Sequence, residues 1–291
     1  MALPPDGEER LLRLAEKAGL GSTLDLAFVP DAVLLERGLS EEELLELRTL
    51  LKATRSWAAP RLEAASCLPK QGTGCASLDR LLGGGFAFGS LMGIVGERGV
   101  GKSTLALQVA LVGLASAPEG VAAYISGEAA GFRPERAAQL IRARGLGDPL
   151  EVLERLLVLR AREPWELVLA LLRLRERHSS RLRFLVLDEV HACFEALAPP
   201  RSSLLARYAL FYDLVHRARE LCGQTGACGL LVHTLAPDPR TGARRPLGYR
   251  FYFPLLAYLL LERSGGGFVA TLSLTGKYAR YRLGERGLED G

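Results

Sequence analysis

Twelve residues, GIVGERGVGKST from Gly93 to Thr104, constrain this chain more than any other stretch. Gly96 to Ser103 fit G-x-x-x-x-G-K-[ST] without departure, after an apolar strand-like run and before a helix-like one. Glycines at this spacing let successive backbone N–H groups turn inward around phosphate oxygens. The helix that starts at the same place adds the positive end of its dipole. Gly96, Glu97, Arg98, Gly99, Val100, Gly101, Lys102, Ser103 and Thr104 are therefore the expected nucleotide-binding segment. Within it Lys102 is expected to reach the terminal phosphates, and Ser103 to ligate a magnesium ion.

A magnesium-nucleotide site needs a further acid, and RFLVLDEV supplies Asp188 at the end of an apolar run. In that setting a carboxylate orders the water shell of the metal. Glu189 follows directly, where an acid polarises the attacking water in many P-loop ATPases. Glu128, in AAYISGEAAGFRPER just past another strand end, is an equal candidate. The general base must stand beside the γ-phosphate and not merely beside the metal. Local sequence leaves the choice between Glu128 and Glu189 open.

The remaining patterning extends the strand–helix theme. LMGIVG, VAAYIS, LLVLR, RFLVLD and CGLLVH have strand length and no alternation, as expected of strands buried on both faces. Helical stretches at 103–115, 134–144, 164–178 and 203–222 lie between them, and Pro134 and Pro164 suit a first helical turn. Strands alternating with helices predict parallel pairing and right-handed crossovers. The tail from Pro254 reads instead as antiparallel strands turning at glycines.

Before the core the text is helical. EERLLRLAEKAGL stops at Gly19. Ser40 and Glu43 form a capping box that opens a helix with Leu44, Leu47 and Leu51 on one face. The expected organisation is a small all-α domain at 1–58, a linker at 59–74 interrupted by Pro60 and Pro69, and an α/β core at 75–291. That core is expected to hold a mostly parallel central sheet with antiparallel C-terminal strands.

Composition limits the function classes. With 48% apolar and 24% charged residues and a net charge of +4, the chain reads as an ordinary globular protein whose overall charge does not point to nucleic acid. Its longest apolar run, PLLAYLLL, falls far short of the ~20 residues that cross a bilayer. The segment MALPPDGEER lacks a secretory pattern, and five cysteines without C-x-x-C spacing fit reduced thiols. A cytoplasmic protein with no membrane partner is expected.

GTGCASLDRLLGGGFAFGS, the phosphate loop, YISGEAAGFRPER and FLVLDEV, in that order, resemble the RecA-type core of the RadA family of strand-exchange recombinases. The resemblance covers most of the chain. It implies a RecA-type P-loop ATPase core, ATP and Mg2+ as cofactors, and a helix-hairpin-helix-like N-terminal domain. By this likeness Glu128 takes the place of the catalytic glutamate that activates water, although one extra residue separates it from Phe132. Lys102 acts with Glu128, while Ser103 and Asp188 hold the metal. Glu189 stands where the family has a small hydroxyl residue.

Departures from the family pattern are as informative. His233 and Thr234 replace an N-Q pair that senses the γ-phosphate, and are the expected sensing residues here. Pro254 takes the place of a histidine that meets nucleotide in the adjoining protomer. The cross-protomer aspartate–proline segment is not recognisable around SLTGKYARYRLGER. WAAP, with Trp57, replaces the F-x-x-A self-association motif, and EALAPPRSSL makes a short first DNA loop. The losses concern neighbour contact and DNA engagement, whereas the phosphate cradle is kept.

This pattern resembles an archaeal recombinase paralogue of the RadB kind. It implies a slowly hydrolysing accessory protein of DNA recombination and repair, with single-stranded DNA and a RadA-type recombinase or another paralogue as partners. Arg240, Arg244 and Arg245 fall at the second DNA-binding loop of the family and are the implied phosphate contacts, in a polar, mobile segment. Tyr249, Phe251 and Phe253 share one face of an extended segment and are assigned to packing. In the N-terminal domain, three glutamates just past Gly38 oppose phosphate binding, which favours a protein-contact or structural role. Two alternatives stay open: a strand-exchange recombinase that forms its own filaments, and a KaiC-like ATP-switched signalling or scaffold protein sharing the TG…LD.LLGGG lead-in.

Overall fold

In the computed structural model the described residues are 6–19, 34–35, 37–53, 68–127, 131–195, 204–237, 244–246 and 257–291. Contacts divide the chain into two units, Met1–Ala65 with Pro200–Leu210, and Ser66–Pro199 with Phe211–Gly291.

The first unit contains helices α1 (Gly7–Lys17) and α2 (Glu41–Ala53). Apolar residues recur in α1 and just beyond it at 11, 14, 15 and 18, a spacing that gives a helix one apolar stripe. Leu11, Leu14, Ala15 and Ala18 from that stripe cluster with Leu34, Leu39, Leu47 and Leu50, and Leu44 packs against them. The stop is the expected one, because Gly19 adopts φ +63° and its N–H reaches the Glu16 carbonyl at 3.0 Å. The capping box also forms. The Ser40 N–H donates to Glu43 Oε2 at 2.7 Å, and the Glu43 N–H donates to Ser40 Oγ at 3.2 Å.

The second unit is built on a sheet. Its elements, in chain order, are β1 (Lys70–Gln71), α3 (Ala76–Leu81), β2 (Phe86–Ala87), β3 (Leu91–Gly96), α4 (Lys102–Ser116) and β4 (Val121–Ser126). Then come α5 (Pro134–Arg144), α6 (Pro149–Leu153), β5 (Leu156–Arg160), α7 (Pro164–His178), β6 (Leu182–Asp188) and α8 (Ala192–Glu195). Helix α9 (Leu204–Thr225) leads to β7 (Cys228–Pro237) and β8 (Arg244–Pro246). The chain ends with β9 (Tyr258–Ser264), β10 (Gly267–Leu272), β11 (Tyr278–Gly284) and β12 (Gly287–Asp290).

Strand order in the main sheet is β12-β11-β10-β9-β3-β7-β6-β4-β5, with β8 paired to β7. Pairing is parallel from β9 through β3 to β5, and antiparallel from β9 to β12. The expected fold, a mostly parallel sheet continued by antiparallel C-terminal strands, is the one observed. The core lies where α4 covers the sheet: Leu105, Val109, Ala110 and Leu114 pack with Ile94, Tyr124, Phe184 and Val186. Gly113 permits this approach, because a Cβ there would lie 1.9 Å from Phe184 Cζ.

The structure differs from the sequence expectations at several places. LLVLR was expected to be buried on both faces, yet among the described residues β5 pairs only with β4, and Val158 and Leu159 are 45% and 38% exposed. An apolar run does not distinguish a central strand from the last one in a sheet. Lys70 and Gln71, within the stretch assigned to the linker, form β1 and pair with β2. Arg244 and Arg245, placed in a mobile loop by the sequence reading, lie in β8, where their backbones pair with Pro237 and Ala236. The periodicity also did not reveal the short helices α3, α6 and α8, of which α6 is started by Pro149 and by Asp148 accepting from the Leu150 N–H at 3.2 Å.

Candidate nucleotide site

Strand register alone assembles most of the site. In parallel strands the C-terminal ends face the same edge of the sheet, where α/β proteins bind ligands. Gly96 at the end of β3 is level with Thr234 in β7, and Asp188 at the end of β6 is level with Val232 in β7 and Ser126 in β4. Chain segments up to 138 positions apart (96 to 234) thus reach one place.

The loop between β3 and α4 is shaped as a cradle. Gly99 and Gly101 adopt φ +81° and +93°, a region that L side chains rarely enter. A Cβ on Gly96 would lie 2.3 Å from the Leu261 carbonyl oxygen, so the loop packs against β9 only with glycine there. Gly101 precedes the first turn of α4, which leaves the helix N–H groups directed at the loop. Val100 is fully buried, and Arg98 is exposed. Lys102 is 6% exposed, and its ammonium donates to the Glu97 carbonyl at 3.0 Å.

The two metal candidates lie side by side. Ser103 Oγ donates to Asp188 Oδ1 at 3.1 Å. The other carboxylate oxygen accepts a hydrogen bond from the Tyr124 hydroxyl, which comes from the middle of β4. Burial pushes the Asp188 carboxyl up to about 6, partly opposed by those two hydroxyl donors and by the nearby Lys102 charge. Burial, reinforced by the Asp188 charge, also raises the Tyr124 phenol well above its usual range. Tyr124 was not singled out by its sequence. The available signal was a phenol inside a buried apolar run, since a buried Tyr hydroxyl usually finds a polar partner.

Glu189 is a second residue whose setting local sequence left open. It is 7% exposed and is the only non-glycine residue with positive φ among the described residues, at +52°. Its carboxylate lies 3.4 Å from Lys102 Nζ and 3.4 Å from His191 Nδ1. Oε2 accepts from the Thr234 N–H at 3.2 Å, and Oε1 accepts from the Thr234 hydroxyl.

The two expected sensing residues part company. Successive side chains of a strand point to opposite faces. Thr234 meets Glu189, whereas His233 is fully buried, its ring centroid 4.2 Å from that of His191 and 5.9 Å from that of Phe211. Glu128 and Arg240 lie outside the described residues, as do Trp57, Tyr249, Phe251, Phe253 and Pro254. Arg244 and Arg245 are described in backbone only.

These residues fit a magnesium–nucleotide group. The left-handed glycines and the buried lysine supply phosphate donors, and Ser103 and Asp188 supply two hard oxygen ligands. No cluster of three His, Cys, Asp or Glu side chains suited to a metal occurs among the described residues. Magnesium requires no such cage, since it draws its remaining ligands from phosphates and water. Among the described residues, no helix is long and apolar enough to cross a membrane.

A family model described as Rad51 matches residues 66–244. The chain is 32% identical over 232 residues to the DNA repair and recombination protein RadB of Thermococcus kodakarensis, covering 75% of this chain and 98% of that protein. Similarity to the RadB of Thermococcus onnurineus is 30% over 233 residues, covering 75% and 96%. An 86-residue stretch is 50% identical to the RadB of Thermococcus gammatolerans, covering 30% of this chain and 36% of that protein.

Proposed function

The chain belongs to the Rad51 family, and from that premise we propose that it is an ATP-binding accessory protein of DNA recombination and repair, with slow hydrolysis, that binds single-stranded DNA and assists a RadA-type recombinase. Membership implies ATP binding. The observation that carries the reading is the meeting of the phosphate loop with Asp188: a buried Lys102, left-handed glycines, and Ser103 bonded to the carboxylate. Similarity to DNA repair and recombination proteins favours a recombination role over an ATP-switched scaffold.

In this proposal Gly96 to Thr104 hold the phosphates through backbone N–H groups, and Lys102 draws the terminal phosphate into place. Ser103 and Asp188 hold magnesium, which neutralises phosphate charge when bound. Glu128 orients the attacking water by its place in the segment before FRPER. Thr234 senses the γ-phosphate. Arg240, Arg244 and Arg245 contact the phosphates of a single strand without reading its sequence.

Titration with an ATP analogue and measurement of ATP turnover, each with and without single-stranded DNA, test the proposal. Lys102→Ala should weaken analogue binding by about 100-fold or more and abolish turnover, as expected for loss of a charge-assisted phosphate contact. Slow turnover, little stimulated by DNA, with salt-sensitive DNA binding and no filaments, is the expected wild-type result. Strong stimulation together with filaments would overturn the accessory role. No DNA binding at low salt would overturn recombination altogether.

A further inference from the structure

Glu189 has no part in the mechanism proposed above, yet it is a buried acid set against the phosphate-loop lysine. It occupies a left-handed backbone position that an ordinary residue keeps only where its surroundings impose it. The backbone is fixed by its own N–H, which donates to the Val232 carbonyl of β7 at 3.2 Å. Both oxygens of the side chain are engaged: Oε1 by the Thr234 hydroxyl and, at 3.4 Å, by Lys102, and Oε2 by the Thr234 N–H and His191. A general base needs an uncommitted lone pair directed at water. Glu189 is arranged as a tie between Lys102 and β7.

That tie has a consequence for any phosphate that Lys102 accepts. Lys102 and Glu189 have side chains only 6% and 9% exposed, so their charges are poorly screened. A phosphate oxygen arriving at the ammonium becomes a second anion beside the Glu189 carboxylate. Two anions sharing one buried cation repel, and the carboxylate must loosen its hold. The same carboxylate holds Thr234, and the next residues of β7, Leu235 to Pro237, are those that pair with Pro246, Arg245 and Arg244 of β8.

We propose that Glu189 is a positioning residue that couples phosphate occupancy at Lys102 to the β7–β8 hairpin, by exchanging its hold on Lys102 for a displaced Thr234. The coupling rests on the reading of this site as a nucleotide site. It gives the chain a link from the phosphate loop to the strand bearing Arg244 and Arg245 through a residue outside the family pattern. A ligand shifts such an arrangement only through unequal interaction with its two forms. Here the inequality comes from charge.

The test uses the full chain as wild type, Glu189→Gln, Thr234→Val and Lys102→Ala, titrated with a non-hydrolysable ATP analogue and with ADP in the presence of magnesium. Amide hydrogen exchange is followed across 228–237 and 244–246. Glu189→Gln keeps the size but removes the opposing charge, so analogue binding should tighten by about tenfold, with a smaller gain for ADP. The wild type should change its exchange at Thr234 to Ala236 and at Arg244 and Arg245 when the analogue binds. Both Glu189→Gln and Thr234→Val should lose that response.

Thr234→Val preserves shape and the Glu189 charge, so the exchange result does not depend on one variant folding, and circular dichroism identifies the folded variants. Wild-type binding combined with unchanged or weaker analogue affinity in Glu189→Gln, or a wild-type exchange response in both variants, would overturn the coupling while the nucleotide site stands. Failure of the wild type itself to bind the analogue better than Lys102→Ala would overturn the site reading, and the coupling with it.

Discussion

The helical unit and the phosphate end of the sheet distribute polar and apolar groups in opposite ways. In the helical unit Leu11 and Leu14 of α1 and Leu47 and Leu50 of α2 are inside, and charged pairs lie outside that cluster: Lys17 pairs with Glu43 at 2.5 Å, and Arg10 donates to Glu46 at 2.5 Å. At the phosphate end Lys102, Asp188 and Glu189 are all buried, held by one another and by Ser103, Tyr124 and Thr234. The first arrangement is the one that stability alone selects, with burial of apolar area as its main support. The second removes charges from water, which their pairings offset only in part. Buried charge retained beside a cleft is characteristic of sites that do chemistry.

The contrast predicts opposite signs for substitutions in the two regions. The largest expected effect is in the helical unit. Leu47 is fully buried in its cluster, and Leu47→Ala should cost about 2–5 kcal/mol, the usual range for deleting a buried leucine. Faster amide exchange in α1 and α2 would register it. A change near zero would mean that the unit does not depend on its leucines, and the comparison would break there.

At the phosphate end, Asp188→Asn should stabilise the fold. The Asp188 carboxyl is pushed from its ordinary 3.8 to about 6 by burial, so the folded state binds its proton more tightly than the unfolded state. Its contribution to stability is fully present below about pH 3.8 and is lost as pH rises through about 6. At neutral pH the asparagine avoids the buried charge and should add up to about 3 kcal/mol, read as a higher denaturation midpoint. The gain should vanish near pH 4. The same variant should lose magnesium-dependent nucleotide affinity, because a proposed metal ligand is gone. A destabilised Asp188→Asn at pH 7 would show that the Ser103 and Tyr124 bonds outweigh the desolvation they oppose.

Both regions were partly legible in the sequence, and for different physical reasons. Local chemistry wrote the phosphate loop, the Gly19 stop, the capping box and Pro164 at the start of α7, because each depends on residues within a turn or two. Strand runs were legible too, although β5 was read as interior when, among the described residues, it pairs on one side only. What stayed hidden was set by register between distant strands. Tyr124 meets Asp188 across 64 positions, and Thr234 meets Glu189 across 45. No spacing rule in the chain encodes those meetings. His233 and Thr234 were implied together as sensors by the N-Q pair they replace, whereas a strand sends neighbours to opposite faces: Thr234 meets Glu189, and the His233 ring lies against His191.

The smallest prediction sharpens the helical side of the comparison. Ser40 is exposed, so replacing it removes no core packing, and Ser40→Ala isolates the cap. The loss of the hydroxyl that accepts from the Glu43 N–H should cost about 1 kcal/mol, typical of a helix N-cap. Glu43 supplies the other half of the box and also pairs with Lys17, whose hydrogen bond is the main reason its carboxyl lies below the ordinary 4.5. A carboxylate lowered in the folded state stabilises above its unfolded value, and that stability is lost as pH falls through the folded one. Acid should therefore remove the Glu43 half of the box in wild type and variant alike, while the Ser40 hydroxyl still accepts. The difference between Ser40→Ala and wild type, followed by amide exchange at the start of α2, should persist at low pH. A difference that disappears in acid would show that the serine works only through the carboxylate, and the cap would then depend on charge as the phosphate end does.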